Sequence, residues 1–277
     1  MYNYHTHTKR CNHAIGTDEE YIKAAINAGY DGIGFTDHIM LPGINNSRVR
    51  ANFEVKDEYV STIRKLQKKY RYKIDIYLGF ECEWDKKFEK YYRSLIENRE
   101  VDYLIFGNHG IYFKNGERFL KINSHSQYLQ RYLKYALKGI RSGLFKVMAH
   151  PDIFMSSVSW NEQAIKVSKA ICKEAKKYNV ALEINCGCLI NESKREMFKE
   201  ERYRYPYKEF WKIAKKVGNT IVIGIDAHSP TALLSENKQL AYDLAKELHL
   251  KITDKLDIEN VKRRKSTCQM NKKWFYS

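Results

Sequence analysis

Tyr2-Asn3-Tyr4-His5-Thr6-His7 opens the chain: a short aromatic run that ends in two histidines, with His13 six residues further on. The pattern recurs. Gly32-Ile33-Gly34-Phe35 ends in Thr36-Asp37-His38, and later runs end in Gly79-Phe80-Glu81, Gly107-Asn108-His109, Met148-Ala149-His150 and Ile225-Asp226-Ala227-His228. Seven of the nine histidines thus stand at or just beyond the end of an apolar run. Side chains alternate along a strand with period two, so His5 and His7 point to the same side. Strands that each deliver a His, Asp or Glu at the carboxyl end predict a multinuclear metal site at the mouth of a β/α barrel.

The rest of the chain repeats the same unit. Short β-branched or aromatic runs at 2–7, 32–37, 74–81, 103–107, 146–150, 181–185 and 220–226 alternate with helical patterns at 57–70, 86–98, 126–142, 162–178, 206–217 and 231–248. The first helix begins at Thr17-Asp18-Glu19-Glu20, a T-x-x-E capping box, and Gly29 ends it. Pro206 suits a first helical turn. Seven strand–helix units predict a seven-stranded relative of the (β/α)₈ barrel, an α/β fold whose site lies at the carboxyl ends of the strands. Only four prolines and no low-complexity linker interrupt the 277 residues, which reads as one domain over 1–277.

Composition narrows the class. With 43% hydrophobic residues the chain can bury a full core, and no apolar stretch is long enough to span a bilayer. Six cysteines show no CxxC pairing, and the chain opens directly on a strand and ligand motif, so free thiols in a reducing cytoplasm are expected. The net charge of +16 suits a phosphorylated substrate or nucleic acid. Lys262-Arg263-Arg264-Lys265 is the strongest hint of nucleic acid, but it is short and lacks a defined module. The 21 tyrosines form no RNA-binding aromatic motif. His125 and His249, at predicted helix ends, read as surface or capping residues, and Cys186 and Cys188 as non-ligands.

The motifs appear in an order that resembles the polymerase-and-histidinol-phosphatase (PHP) family of metallophosphoesterases: His5-Thr6-His7, Thr36-Asp37-His38, Gly79-Phe80-Glu81, His109, His150-Pro151 and Asp226-Ala227-His228. Within that family the chain is most similar to the monofunctional histidinol-phosphate phosphatases. The resemblance implies a distorted (β/α)₇ barrel and a site for three divalent transition metals: zinc, iron or manganese. Carried over by motif, His5, His7, Glu81 and Asp226 would hold one ion. Glu81, His109 and His150 would hold a second, with Glu81 bridging, and His13, His38 and His228 a third. Asp226 and His228 are also candidates for proton handling near the leaving group.

The implied activity is hydrolysis of L-histidinol phosphate in histidine biosynthesis. The alternatives are another small phosphorylated metabolite or a nuclease-type phosphodiesterase. The basic loop 194–206 resembles the stretch where a phosphate-binding arginine is expected, which makes Arg204, Arg202 and Arg195 the candidates. One departure stands out: histidinol phosphatases commonly read G-S-V-H at the fourth strand, where this chain reads Gly107-Asn108-His109-Gly110 after Phe106.

Overall fold

A computed structural model describes residues 1–44, 48–109, 112–114, 117–119 and 124–258. Gly110, Cys268 and the basic run 262–265 lie outside the described residues. The strands are β1 (Tyr2–Asn3), β2 (Gly32–Phe35), β3 (Asp75–Cys82), β4 (Tyr103–Gly107), β5 (Tyr112–Lys114), β6 (Glu117–Phe119), β7 (Val147–Ala149), β8 (Ala181–Asn185), β9 (Arg195–Met197), β10 (Glu200–Arg202) and β11 (Ile221–Gly224). The helices are α1 (Asp18–Asn27), α2 (Lys56–Tyr70), α3 (Glu89–Glu97), α4 (His125–Arg141), α5 (Glu162–Tyr178), α6 (Gly187–Asn191), α7 (Lys208–Val217) and α8 (Gln239–Glu247).

Seven strands form one parallel sheet in the order β1-β2-β3-β4-β7-β8-β11. Two antiparallel hairpins, β5–β6 and β9–β10, stand apart from it. The two edges of the sheet meet where Thr6 bridges Ala227 in parallel and the His7 N–H donates to the Ala227 carbonyl at 2.9 Å. Asn3 reinforces that seam: its Oδ1 accepts from the Ile225 N–H at 2.9 Å and its Nδ2 donates to Thr6 Oγ1 at 2.8 Å. A buried side-chain amide thus satisfies backbone groups that the short β1 leaves without a ladder. The expected seven-stranded α/β barrel is the fold.

The strand β1 is shorter than its sequence pattern. Tyr4 packs into the barrel interior with Tyr103, Ile105, Val147 and Val222, and His5, the next residue, reaches Glu183 across the barrel at 2.9 Å. Two successive inward side chains break the alternation that a strand requires. The larger core lies between strands and helices, where Leu104 and Phe106 of β4 and Leu182 and Ile184 of β8 meet the apolar stripes of the surrounding helices.

Helix boundaries follow their caps. The Thr17–Glu20 capping box is present, and Ser124 and Asn161 cap α4 and α5 through their side chains. Pro206 is not in a helical turn: Tyr207 is extended, donates its N–H to Asp152 Oδ2 at 2.6 Å, and α7 starts after it. The helix expected over 231–248 is two 3₁₀ turns, Pro230–Leu234 and Glu236–Lys238, followed by α8. Extended Ser235, whose hydroxyl accepts from the Asn237 N–H, interrupts it. Residues 251–258 close the amino end of the barrel: Ile252 bridges Ile221, the Leu256 N–H donates to the Tyr4 hydroxyl at 2.8 Å, and Ile258 joins the interior cluster. Among the described residues no helix is long and apolar enough to cross a membrane.

Candidate metal centre

The carboxyl ends of the strands deliver the candidate ligands to one place. His5 and His7 follow β1, and His13 follows the 3₁₀ turn Lys9–Cys11. His38 lies beyond β2 and bridges Glu81 of β3 in parallel. His109, His150 and Asp226 lie just after β4, β7 and β11. His150 and Asp226 adopt left-handed backbone angles, with φ of 31° and 54°. Side chains other than glycine enter that region at a cost, and such residues concentrate where a side chain must be aimed.

The donor atoms crowd. His5 Nε2 and His7 Nε2 are 3.0 Å apart, and Asp226 Oδ1 lies 3.3 Å from the first and 3.2 Å from the second. Glu81 divides its oxygens: Oε1 is 3.1 Å from both His109 Nε2 and His150 Nε2, while Oε2 is 2.9 Å from His38 Nδ1 and 3.5 Å from His7 Nε2. A carboxylate so placed can bridge two cations. His13 Nε2 and His228 Nε2 are 3.0 Å apart. His38 gathers with His7 and His228, whereas His13 gathers with His228 and Cys11, so His228 links the two groups.

Tautomers test whether cations fit here. His13 Nδ1 is 2.7 Å from the Cys11 carbonyl and His228 Nδ1 is 2.9 Å from the Asp226 carbonyl. A carbonyl oxygen only accepts, so both Nδ1 atoms carry hydrogen, and in the neutral rings that metal binding requires both Nε2 atoms present lone pairs. Two lone pairs facing each other at 3.0 Å repel unless a proton or a metal cation lies between them. At His5, Glu183 takes the Nδ1 side at 2.9 Å, which turns Nε2 toward His7. Seven imidazoles with two carboxylates are a donor set suited to zinc and its neighbours. The residues present fit metal ions.

Electrostatics agree. Burial opposes charge on His5, but Asp226, Glu183 and Glu81 overcome it and hold its pKa well above the ordinary value. At His7, burial and the adjacent His228 and His38 rings push it well below. Burial alone would raise Glu81 and Asp226; the surrounding histidines hold both well below the usual carboxylate range. Both therefore stay anionic, as ligands must.

Four residues in and around the cluster were not singled out from sequence. Glu183 backs His5 and also accepts from the His150 N–H at 3.1 Å. Glu83 backs His109 Nδ1 at 3.2 Å. Asp37 accepts from the Thr8 N–H at 2.6 Å and from its hydroxyl at 2.5 Å, and burial pushes its pKa up to about 7. Cys11 lies within reach of His13 and His228, and burial, with Asp37, raises its thiol to about 12. Gly107 and Gly224 make the room: a Cβ at Gly107 would stand 2.3 Å from Glu81 Oε1, and one at Gly224 1.8 Å from Glu183 Oε1.

The three arginines of the basic loop have different fates. Arg204 is half-buried and forms a two-pronged pair with Glu192, Nε to Oε2 at 2.8 Å. Tyr205 beside it lies with its ring 5.9 Å from that of His150, which brings the loop against the ligand cluster. The Arg202 guanidinium donates to the carbonyls of Met155, Tyr203 and Arg204. Arg195 is exposed at the start of β9. His125 is exposed at the first turn of α4, where Ser124 is the cap, and Cys188 faces Glu192 rather than the imidazoles.

The family model described as the PHP domain matches residues 3–187. This chain belongs to the PHP domain family. Among similar proteins, one of Deinococcus radiodurans named probable histidinol-phosphatase is 29% identical over 236 residues, covering 82% of this chain and 85% of the relative. A histidinol-phosphatase of Lactococcus lactis is 25% identical over 242 residues, covering 82% and 83%. The fold is also that of a solved structure, histidinol phosphate phosphatase of Lactococcus lactis complexed with zinc, L-histidinol and phosphate: TM-score 0.68, 18% identity, covering 91% of this chain and 94% of that one. Asp226 and His228 lie beyond the stretch matched by the PHP domain model, and it is the closure of the barrel that brings them to His5 and His13.

Proposed function

We propose that this PHP-family chain is a metal-dependent phosphomonoesterase that hydrolyses L-histidinol phosphate to L-histidinol and phosphate. The observation that carries the reading is the convergence of the His13 and His228 Nε2 atoms, their Nδ1–H groups spent on backbone carbonyls, beside a Glu81 carboxylate whose two oxygens face different histidines. The names of the Deinococcus and Lactococcus relatives support the substrate.

In this reading His5, His7, Glu81 and Asp226 hold one ion, and Glu81, His109 and His150 a second. His13, His38 and His228 hold a third, with His228 central. Zinc fits the imidazole-rich set best, ahead of iron and manganese. Bound ions would polarise the phosphate oxygens and supply a nucleophilic water at neutral pH, so no Ser or Cys nucleophile is needed. The chain's own groups complete the work. Asp226, held anionic by the surrounding histidines with Oδ1 between His5 and His7, serves in this reading as a ligand rather than as the base. His228, which gives its Nδ1–H to the Asp226 carbonyl and turns Nε2 to His13, likewise serves as a ligand in this reading rather than as the acid. Arg204 would clamp the phosphate by exchanging Glu192 for it. Arg202, already committed to three carbonyls, builds the loop instead, and exposed Arg195 is the outer candidate. Five buried free thiols among the described residues support a reducing, cytoplasmic setting.

A phosphate-release assay on metal-reconstituted protein tests the reading. L-histidinol phosphate should exceed nucleotides and other small phosphomonoesters in kcat/KM by at least about tenfold, because buried polar groups made for one substrate are left unpaired by another. Faster release from another monoester would reassign the substrate. Cleavage of single-stranded DNA without monoester hydrolysis would overturn the phosphomonoesterase assignment.

A further inference from the structure

A buried ion pair stands behind the metal centre and has no part in the chemistry assigned so far. Arg50 is fully buried, and its Nη2 donates to both oxygens of Glu83 at 3.0 Å. Its Nη1 donates to the Ile39 carbonyl at 2.8 Å, one residue beyond His38. Its own carbonyl accepts from Asn12 Nδ2 at 3.0 Å, one residue before His13. Glu83, also buried, faces His109 Nδ1 at 3.2 Å through Oε1, and His109 Nε2 is 3.1 Å from Glu81 Oε1. The line from Arg50 through Glu83 and His109 to Glu81 is continuous.

Stability does not explain the pair. Removing two charges from water costs several kcal/mol per ion, and apolar residues of the same volume often serve a core as well or better. Chemistry at His109 does explain it. A carboxylate that accepts from Nδ1–H fixes the tautomer, aims Nε2 and makes the imidazole a stronger donor to a cation. Free Glu83 could turn toward any donor; Arg50 Nη2 holds both its oxygens and leaves only the edge that faces His109.

We propose that Glu83, clamped by Arg50, is a positioning residue that presents His109 Nε2 toward Glu81 and thereby sets how tightly the Glu81–His109–His150 site holds its ion. Arg50 extends the same control to the loops that carry His38 and His13, which it ties to Glu83. This inference rests on the metal-centre reading above.

The test is metal retention. Reconstituted wild type and Glu83→Gln are dialysed against rising chelator, ions per chain are counted by elemental analysis, and the metal-free proteins are melted in parallel. Glu83→Gln keeps an acceptor for the Nδ1–H but loses the charge. It should release one ion at roughly ten- to a hundredfold lower chelator than wild type, in line with the cost of losing a partner behind a ligating histidine, and keep the others. If it does not fold, Glu83→Asp serves. It keeps the charge for Arg50, falls short of His109, and should show the same selective release. Wild-type retention in whichever of these variants folds, with only a lowered melting temperature, would make the pair structural and overturn the proposal. A wild-type protein that takes up no ion would overturn this proposal together with the metal-centre reading, whereas normal uptake with unchanged variants overturns this one alone.

Discussion

Glu81→Gln is expected to reduce hydrolysis to below roughly one per cent of wild type while circular dichroism stays unchanged. Loss of a group behind a ligand already costs about ten- to a hundredfold, and Glu81 touches more of the centre than any such group. Its two oxygens face His109 and His150 on one side and His38 and His7 on the other. The substitution keeps the volume and removes the charge, so it acts on the ions rather than on the core. Asp226→Asn should behave alike, because Asp226 Oδ1 stands between His5 and His7. Steady-state kinetics, circular dichroism and ion counts on the same samples decide it. Turnover within a few-fold of wild type in fully metallated protein would contradict the ligand assignment.

Arg204→Ala is expected to raise KM for the phosphomonoester by about ten- to a hundredfold with normal metal content. A hydrogen bond to a charged group is worth roughly 1.5 to 3 kcal/mol, which corresponds to that range. Arg204→Lys should recover only part of the loss, because an ammonium cannot make the planar two-pronged contact that Arg204 now makes with Glu192. The effect should be alike on histidinol phosphate and on an aryl phosphate, since it acts on the phosphate. Kinetics of both variants on both substrates measure it. Unchanged KM throughout would mean that the Arg204–Glu192 pair is a surface contact and that the phosphate is held without it.

Much of the fold was legible because it repeats. The runs at 103–107 and 181–185 and the helix at 162–178 coincide with β4, β8 and α5. Each has clear punctuation: turn residues around the strands, and Asn161 before the helix. The closing elements were less legible. Nothing periodic marks residues 251–258, whose roles are one bridge at Ile252, one N–H at Leu256 and one side chain at Ile258. The break at Ser235 depends on a local hydroxyl contact that a helical periodicity does not register.

At the centre, the period-two rule put His5 and His7 on one side, but could not tell that Tyr4 turns inward as well. The same rule applied to Glu81 would have found Glu83, two residues on and on the same face of an extended chain. A charge in the middle of the apolar run Ala181-Leu182-Glu183-Ile184 would have pointed to Glu183. Arg202 and Arg204 could not be separated from composition. Their roles differ only by which carbonyls and carboxylates the folded loop offers them.

Elemental analysis of purified protein, stripped and then reconstituted with zinc, manganese or iron, tests the metal centre most directly. Nine converging donors and the opposed Nε2 atoms of His13 and His228 predict up to three ions per chain, with fewer in the Glu81→Gln and Asp226→Asn variants. Less than one ion per chain after reconstitution with any of the three metals would contradict the account.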